Sequence, residues 1–261
     1  MHSAAFYALF VGARVVNYEQ AGIGYAQVRR ADPRIAASIW AALGDSKTVL
    51  NVGAGAGNYE PTDRYVLAVE PSAAMRGQRP AGAAPAIDAR AEKLPFDDDS
   101  FDAAMACATI HHWQPPEAGL AELRRVARGP VVIFTFELQR MPDWQLDYFA
   151  EALALEMAVF PALENIASTL GGNTRIERIP IPGDCTDGFV ESWWKRPEVM
   201  LDPVVRASQS IWKRLPHGVE ERMIARLCAD LKSGEWERNY GYLRAQNSYD
   251  GSLALVISEP D

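Results

Sequence analysis

Cysteine is scarce in this chain. Cys107, Cys185 and Cys228 are the three present in 261 residues, far apart and with no C-x-x-C pair. That spacing argues against a disulfide framework and against a zinc site, so no metal is expected, and it implies a reducing, cytoplasmic setting. Positive charge is short as well. Lys and Arg number 26 against 34 Asp and Glu, a formal net charge of −8, which excludes the basic surface a nucleic-acid binder uses to displace counterions. Long apolar runs are missing, and none approaches the ~20 residues of a membrane-spanning helix. Residues 1–16 are fairly apolar but carry no basic leader segment, so they read as a docking helix rather than a signal peptide. Internal repeats and low-complexity linkers are absent too. With 48% hydrophobic and 23% charged residues, the chain suits a globular protein of one elaborated α/β domain or two small domains.

What the chain does have is glycine in one place. Residues 49–60 read Val-Leu-Asn-Val-Gly-Ala-Gly-Ala-Gly-Asn-Tyr-Glu, and 65–70 read Tyr-Val-Leu-Ala-Val-Glu. An apolar strand runs into Gly53, Gly55 and Gly57, and a second strand closes on Glu70. Glycine lets backbone approach a ligand where a Cβ would collide, and an acidic strand end can accept from a ribose diol. The dinucleotide fingerprint G-x-G-x-x-G would need glycine where Asn58 stands, so an NAD site fits poorly. A nucleoside without phosphates, such as S-adenosylmethionine presents, fits better. The plain alternative is a tight strand–helix turn with no ligand.

Asp32-Pro33 starts a helix with an N-cap and a first-turn proline, carrying Ile35, Ile39, Trp40 and Leu43 on one face and stopped by Gly44. Strands follow at 48–52, 65–70, 86–88, 101–109 and 130–137, with an amphipathic helix at 115–128. This alternation implies a mostly parallel sheet with helices on both faces. After Glu137 comes a helical stretch to about Leu170, a strand near 174–181, a mostly helical block and a last strand at 253–258. That block holds Trp193, Trp194, Trp212 and Trp236. They are either core aromatics or the roof of an apolar pocket.

The chain resembles the class I S-adenosylmethionine-dependent methyltransferases, in the branch of small-molecule and antibiotic-pathway enzymes. The resemblance rests on 49–59, on Ala-Val-Glu-Pro-Ser (68–72), Ala-Glu-Lys-Leu-Pro-Phe (91–96), Asp-Asp-Ser-Phe-Asp (98–102) and Ile-His-His-Trp (110–113). Looser matches lie at 25–29, 32–35, 184–189 and 196–198. It implies a Rossmann-like sheet, mostly parallel with an antiparallel last strand, plus a helical cap. The divisions it suggests are an N-terminal helical lid (1–45), a methyltransferase core (46–183), a substrate-cap insertion (184–250) and a final core strand (251–261). S-Adenosyl-L-methionine is the implied cofactor. Gly53, Ala54 and Gly55 would lie against its methionine and ribose portions, and Glu70 would take both ribose hydroxyls. Pro71, Ser72 and Met75 would flank the adenine, Ala91 and Glu92 would meet its edge, and Cys107 and Ile110 would sit near the sulfonium. Tyr25 and Arg29 would close over the cofactor, with Arg29 on its carboxylate. The branch further implies a small-molecule acceptor, taken by a monomer or homodimer.

Two departures stand out. Asn51 occupies a position where the family usually has a carboxylate that helps hold the methionine ammonium. The interval from Asn51 to Glu70 is short and broken by Pro61, so the helix after the glycine turn must be trimmed to about a turn.

Methyl transfer asks for alignment and exclusion of water, and for a base only when the acceptor must lose a proton. His111 and His112, just past a strand end, are the candidate bases, one pointing inward and one outward; the alternative is that they cap the next helix or pack on Trp113. Tyr18, Glu19, Trp113, Asp184 and Trp194 are candidates for the acceptor side. Asp187-Gly188 reads as a weaker candidate or simply a turn. The tryptophan-rich block favours an apolar or aromatic acceptor, indole-like secondary metabolites included. A cofactor-binding protein without methyl transfer is the competing reading.

Overall fold

A computed structural model describes residues 28–261. Tyr18, Glu19, Tyr25 and the expected helix at 1–16 lie outside the described residues. Helix α1 (Pro33–Ala42) begins as its sequence dictates: the Asp32 carboxylate accepts from Arg34 N at 3.0 Å and Pro33 fills the first turn. Its apolar face, Ile35, Ala36 and Ile39, is buried in the main core, and Gly44 leaves it at φ +56°. This part of the expected lid is thus built into the sheet's face.

Strand β1 (Thr48–Val52) is followed by β2 (Tyr65–Val69), the short helix α2 (Ala73–Arg76), β3 (Ala86–Ile87), β4 (Ala103–Cys107), helix α3 (Pro116–Val126) and β5 (Val131–Phe136). Helices α4 (Asp143–Tyr148), α5 (Ala150–Met157) and α6 (Leu163–Leu170) lead to β6 (Asn173–Arg178) and β7 (Ile181–Pro182). A block with α7 (Pro203–Ala207), α8 (Val219–Ser233) and α9 (Glu235–Tyr240) precedes β8 (Ser248–Tyr249) and β9 (Leu253–Glu259). The main sheet has the order β3-β2-β1-β4-β5-β9-β6. Its first five strands are parallel, and β9 runs antiparallel to both β5 and β6. This is the mostly parallel sheet with an antiparallel last strand that the sequence led us to expect.

Alternation along β1 divides the interior. Val49 joins a core with α1 and the helices after β5, whereas Leu50 and Val52 join a second core with Leu120, Leu123 and Ile166. Each such buried Leu or Ile contributes about 1.5–3 kcal/mol. The Asp102 carboxylate accepts from Lys47 N (2.8 Å) and Thr48 N (2.9 Å), tying the start of β1 to β4. Its hydrogen bond to Arg128 holds it below the usual carboxylate range.

Three expectations need correction. The fourth strand is shorter than 101–109, because Ala108 takes φ +52° and turns the chain out of the sheet. The expected strand at 174–181 divides in two, since Pro180 and Pro182 have no N–H for a ladder; β7 pairs with β8 in a separate ribbon. Trp194, Trp212 and Trp236 are buried and do not form a roof, while Trp193 is half-buried. Trp144 and Trp236 meet edge-to-face at 5.8 Å, Phe149 and Trp212 at 5.1 Å, and Trp194 is fully buried, so they form the interior of the helical block. The trimmed segment, in contrast, is as expected: no helix lies between Gly53 and Arg64.

Candidate active site

The glycine turn is fixed by backbone. Gly53 N and Ala54 N both donate to Val69 O, at 2.8 and 3.0 Å, which folds the turn over the tip of β2. Gly53 has φ +69°, and a Cβ there would sit 2.2 Å from Thr109 Oγ1. Glycine is therefore required by both conformation and space. Gly55, at φ +53°, presents its N–H to Glu70 Oε2 at 2.8 Å. Glu70 Oε1 accepts from Ser72 N at 2.8 Å, and the Ser72 hydroxyl caps α2 by accepting from Met75 N at 3.2 Å. Burial raises the Glu70 pKa, and those two N–H groups pull it back. A carboxylate has roughly four acceptor sites, so Glu70 keeps capacity for a diol. Met75 is buried against the turn and Pro71 is exposed. Glycines that a Cβ would fill, beside a buried carboxylate with spare acceptors, fit a nucleoside cofactor.

Ala91 is buried, packed near Gly119 and Trp113. Glu92 Oε1 accepts from Gln114 N at 2.7 Å, so its carboxylate also holds the chain just beyond the histidines. Cys107 ends β4, where burial pushes its thiol pKa up, and Ile110 is buried behind it. The segment 107–111 thus borders two spaces. Thr109 touches the glycine turn, while Ala108 and His111 line a cavity.

That cavity, about 90 Å³, is lined by Phe136, Leu153, Glu156, Phe160, Phe189 and Gln209 among others, with Arg29 at its edge. His111 stacks on Phe160 at 4.0 Å and 15°, and its Nδ1 is buried with no hydrogen-bond partner. Burial first, then the charges of His112, Arg214 and Arg29, lower its pKa well below the ordinary value, so the ring is neutral at pH 7. Burial and Arg214 push His112 down to about 3. The two imidazoles lie 3.8 Å apart rather than pointing opposite ways, and His111 is the one lining the cavity.

The other sequence-derived candidates fall elsewhere. Trp113 is buried against Gly119 in the second core. Trp194 stacks on Tyr249 at 5.6 Å inside the helical block. Asp184 is exposed and pairs with Arg34 at 2.7 Å. None of the three lines the cavity.

Arg29 meets a protein carboxylate: Nε and Nη2 donate to Asp187 at 2.6 and 3.2 Å, and Tyr59 OH donates to the same group at 2.8 Å. Asp187-Gly188 is therefore more than a turn. Gly188 lies so close to Val28 that a Cβ would approach its Cγ1 to 2.3 Å, so this pair grips the chain as it enters the described fold. Sequence reasoning gave no role to Glu60, Arg79, Glu156, Phe160 or Glu191. Phe136, by contrast, carried a signal, as a residue at the C-terminal end of a strand, the end that faces the crevice.

Comparison with known proteins agrees with this geometry. Residues 50–134 match the family described as "Methyltransferase domain". A candidate methyltransferase from an antibiotic biosynthesis pathway of Anabaena variabilis superposes with TM-score 0.84 at 28% identity, over 89% of this chain and 99% of that one. Phosphoethanolamine N-methyltransferase 2 of Haemonchus contortus, in complex with S-adenosyl-L-methionine, gives TM-score 0.54 at 12% identity, covering 100% and 60% of the two chains. The [4+2]-cyclase SpnF gives 0.52 at 16%, covering 93% and 94%. The last two speak to the fold alone. No curated protein matches the chain. With its glycine turn, its acidic strand end and its sheet order, the chain has the methyltransferase domain over residues 50–134 and the fold of the class I S-adenosylmethionine-dependent methyltransferases. It is an enzyme of that class, and S-adenosylmethionine is its cofactor.

Proposed function

We propose that this chain methylates a small, largely apolar and aromatic metabolite in secondary metabolism, indole-like scaffolds included. One observation carries the reading: the segment 107–111 touches the glycine turn through Thr109 and, through Ala108 and His111, lines a cavity walled by Phe136, Phe160 and Phe189. Flat aromatic walls suit a flat ligand, and the wall shared with the glycine turn would put that ligand beside the cofactor. S-Adenosylmethionine, when bound, supplies a methyl carbon already activated by positive sulfur. The residues of this chain then align and exclude water. Gly53, Ala54, Gly55, Glu70, Pro71, Ser72, Met75, Ala91, Glu92, Cys107 and Ile110 are the proposed cofactor contacts. Arg29, held by Asp187, is proposed to reach the cofactor's carboxylate end, and residues 184–250 to cap the acceptor. No helix among the described residues is long and apolar enough to cross a membrane.

His111 is the proposed proton acceptor. Its neutral ring lines the cavity and its buried Nδ1 has no partner. That nitrogen can accept a hydrogen bond from an N–H or O–H of the acceptor and take its proton as the methyl is transferred, although burial disfavours the charged ring before that. The buried Glu156, paired with Arg214 at 3.2 Å, adds a second polar point at the same wall. The test is release of S-adenosylhomocysteine from S-adenosylmethionine with a panel of small aromatic acceptors, for wild type, Glu70→Ala and His111→Gln. We expect turnover with an aromatic N–H or O–H compound, abolished in the first variant and reduced about 100-fold in the second. Cofactor binding with no turnover on any acceptor would replace the proposal with a binding protein that does not methylate. Equal rates for wild type and His111→Gln would remove the base.

A further inference from the structure

The loss of a carboxylate at position 51 and the missing helix have a common consequence. Without a helix to carry the chain away from β1, Tyr59 takes φ +66° and the next residue, Glu60, comes back onto the strand tip. Asn51 Nδ2 donates to Glu60 Oε1 at 3.0 Å. Arg79 reaches the same carboxylate through one nitrogen, Nη2, at 2.8 and 2.7 Å, and also donates to Ala84 O and, at 3.4 Å, to Gly55 O. Glu60 and Arg79 are both over nine-tenths buried. Asn51 is 1% exposed, and its Oδ1 is buried with no partner.

A purely structural ion pair does not account for these features. Burying two charges is expensive, and apolar side chains of similar size would be as stable. An orphaned buried carbonyl oxygen adds a further cost. A carboxylate offers roughly four acceptor sites, of which the contacts above occupy three. A donor beside β1 would find a spare site on Glu60 and the unused oxygen of Asn51 together. Glu60 also lies close enough to the end of β4 to contribute to the raised pKa of Cys107.

We propose that Glu60, with Asn51 Oδ1 beside it, binds the ammonium of the cofactor's methionine end, and that Arg79 positions Glu60 for this. The family's carboxylate has moved from the strand to the loop that replaced the helix. This rests on the S-adenosylmethionine reading, and the test separates the two.

Calorimetry compares S-adenosylhomocysteine, which has the amino-acid end, with methylthioadenosine, which lacks it. Glu60→Gln keeps the shape and removes the charge. We expect it to weaken S-adenosylhomocysteine by about 30-fold and methylthioadenosine by less than about threefold. Combining it with Asn51→Asp, which restores a carboxylate beside the same site, is expected to recover most of the loss and keeps a charged partner for Arg79 if the single variant fails to fold. Equal losses for both ligands, or none, would overturn the assignment while leaving the cofactor reading intact. Failure of wild type to bind either nucleoside would overturn both.

Discussion

The two sides of the segment 107–111 are built on different principles. On the cofactor side, the contacts are short in sequence and mostly backbone: Gly53 and Ala54 to Val69, Gly55 and Ser72 to Glu70. On the acceptor side, the wall is made of side chains drawn from residues as distant as Phe136, Phe160, Phe189 and Ser252. The first is a turn that only glycine and an acidic strand end can make. The second is a surface of rings that many sequences could make, so it is free to vary with the ligand.

That contrast predicts opposite responses to substitution. The largest effect is expected at the turn. Gly53→Ala puts a methyl 2.2 Å from Thr109 Oγ1 in a left-handed conformation; strain and overpacking together cost roughly 2–4 kcal/mol. Affinity for S-adenosylhomocysteine should fall at least about 100-fold, read by calorimetry, with a lower Tm. Retention of wild-type affinity would mean that the turn yields more easily than its geometry implies. Phe160→Ala is the matching change across the segment. It removes the ring stacked on His111 and should raise the acceptor's KM about tenfold, while S-adenosylhomocysteine affinity stays within about twofold. If both ligands lose equally, the two sides are one site.

The same contrast explains what the sequence made legible. The helix at Asp32-Pro33, the strand at 48–52 and the Glu70 carboxylate are local patterns, and the structure has them where the residues put them. Pro180 and Pro182 carried an equally local signal of a broken strand, one that hydrophobicity masked. The acceptor wall had no such signal. Phe160 is an unremarkable residue after a helix until the fold stacks it on His111, and Trp194, Trp212 and Trp236, conspicuous in the sequence, are interior packing. Glu60 is the instructive middle case. Its distance from Asn51 in sequence is small, yet the contact depends on a helix being absent, which residue patterns register only as a proline and a short interval.

Carboxylates sharpen the comparison with the smallest expected effect. Glu70 and Glu191 each accept from backbone N–H, Glu70 from Gly55 and Ser72, Glu191 from Ser252 N at 2.9 Å and also from the Ser252 hydroxyl. Burial pushes Glu191 up to about 7, since it lies fully enclosed between the helical block and the start of β9. A folded-state pKa above the unfolded one means that folding retains a proton the unfolded chain has released. The stabilisation is therefore complete below the ordinary carboxylate pKa, and it is lost as pH rises through about 7. Glu191→Gln keeps the acceptor for Ser252 N and cannot ionise. Relative to wild type, the variant's Tm should rise by about 5 °C between pH 4.5 and pH 8. A constant difference across that range would show that Glu191 stays ionised in the folded chain, as exposed carboxylates do, and that the acceptor side is wetter than its walls suggest.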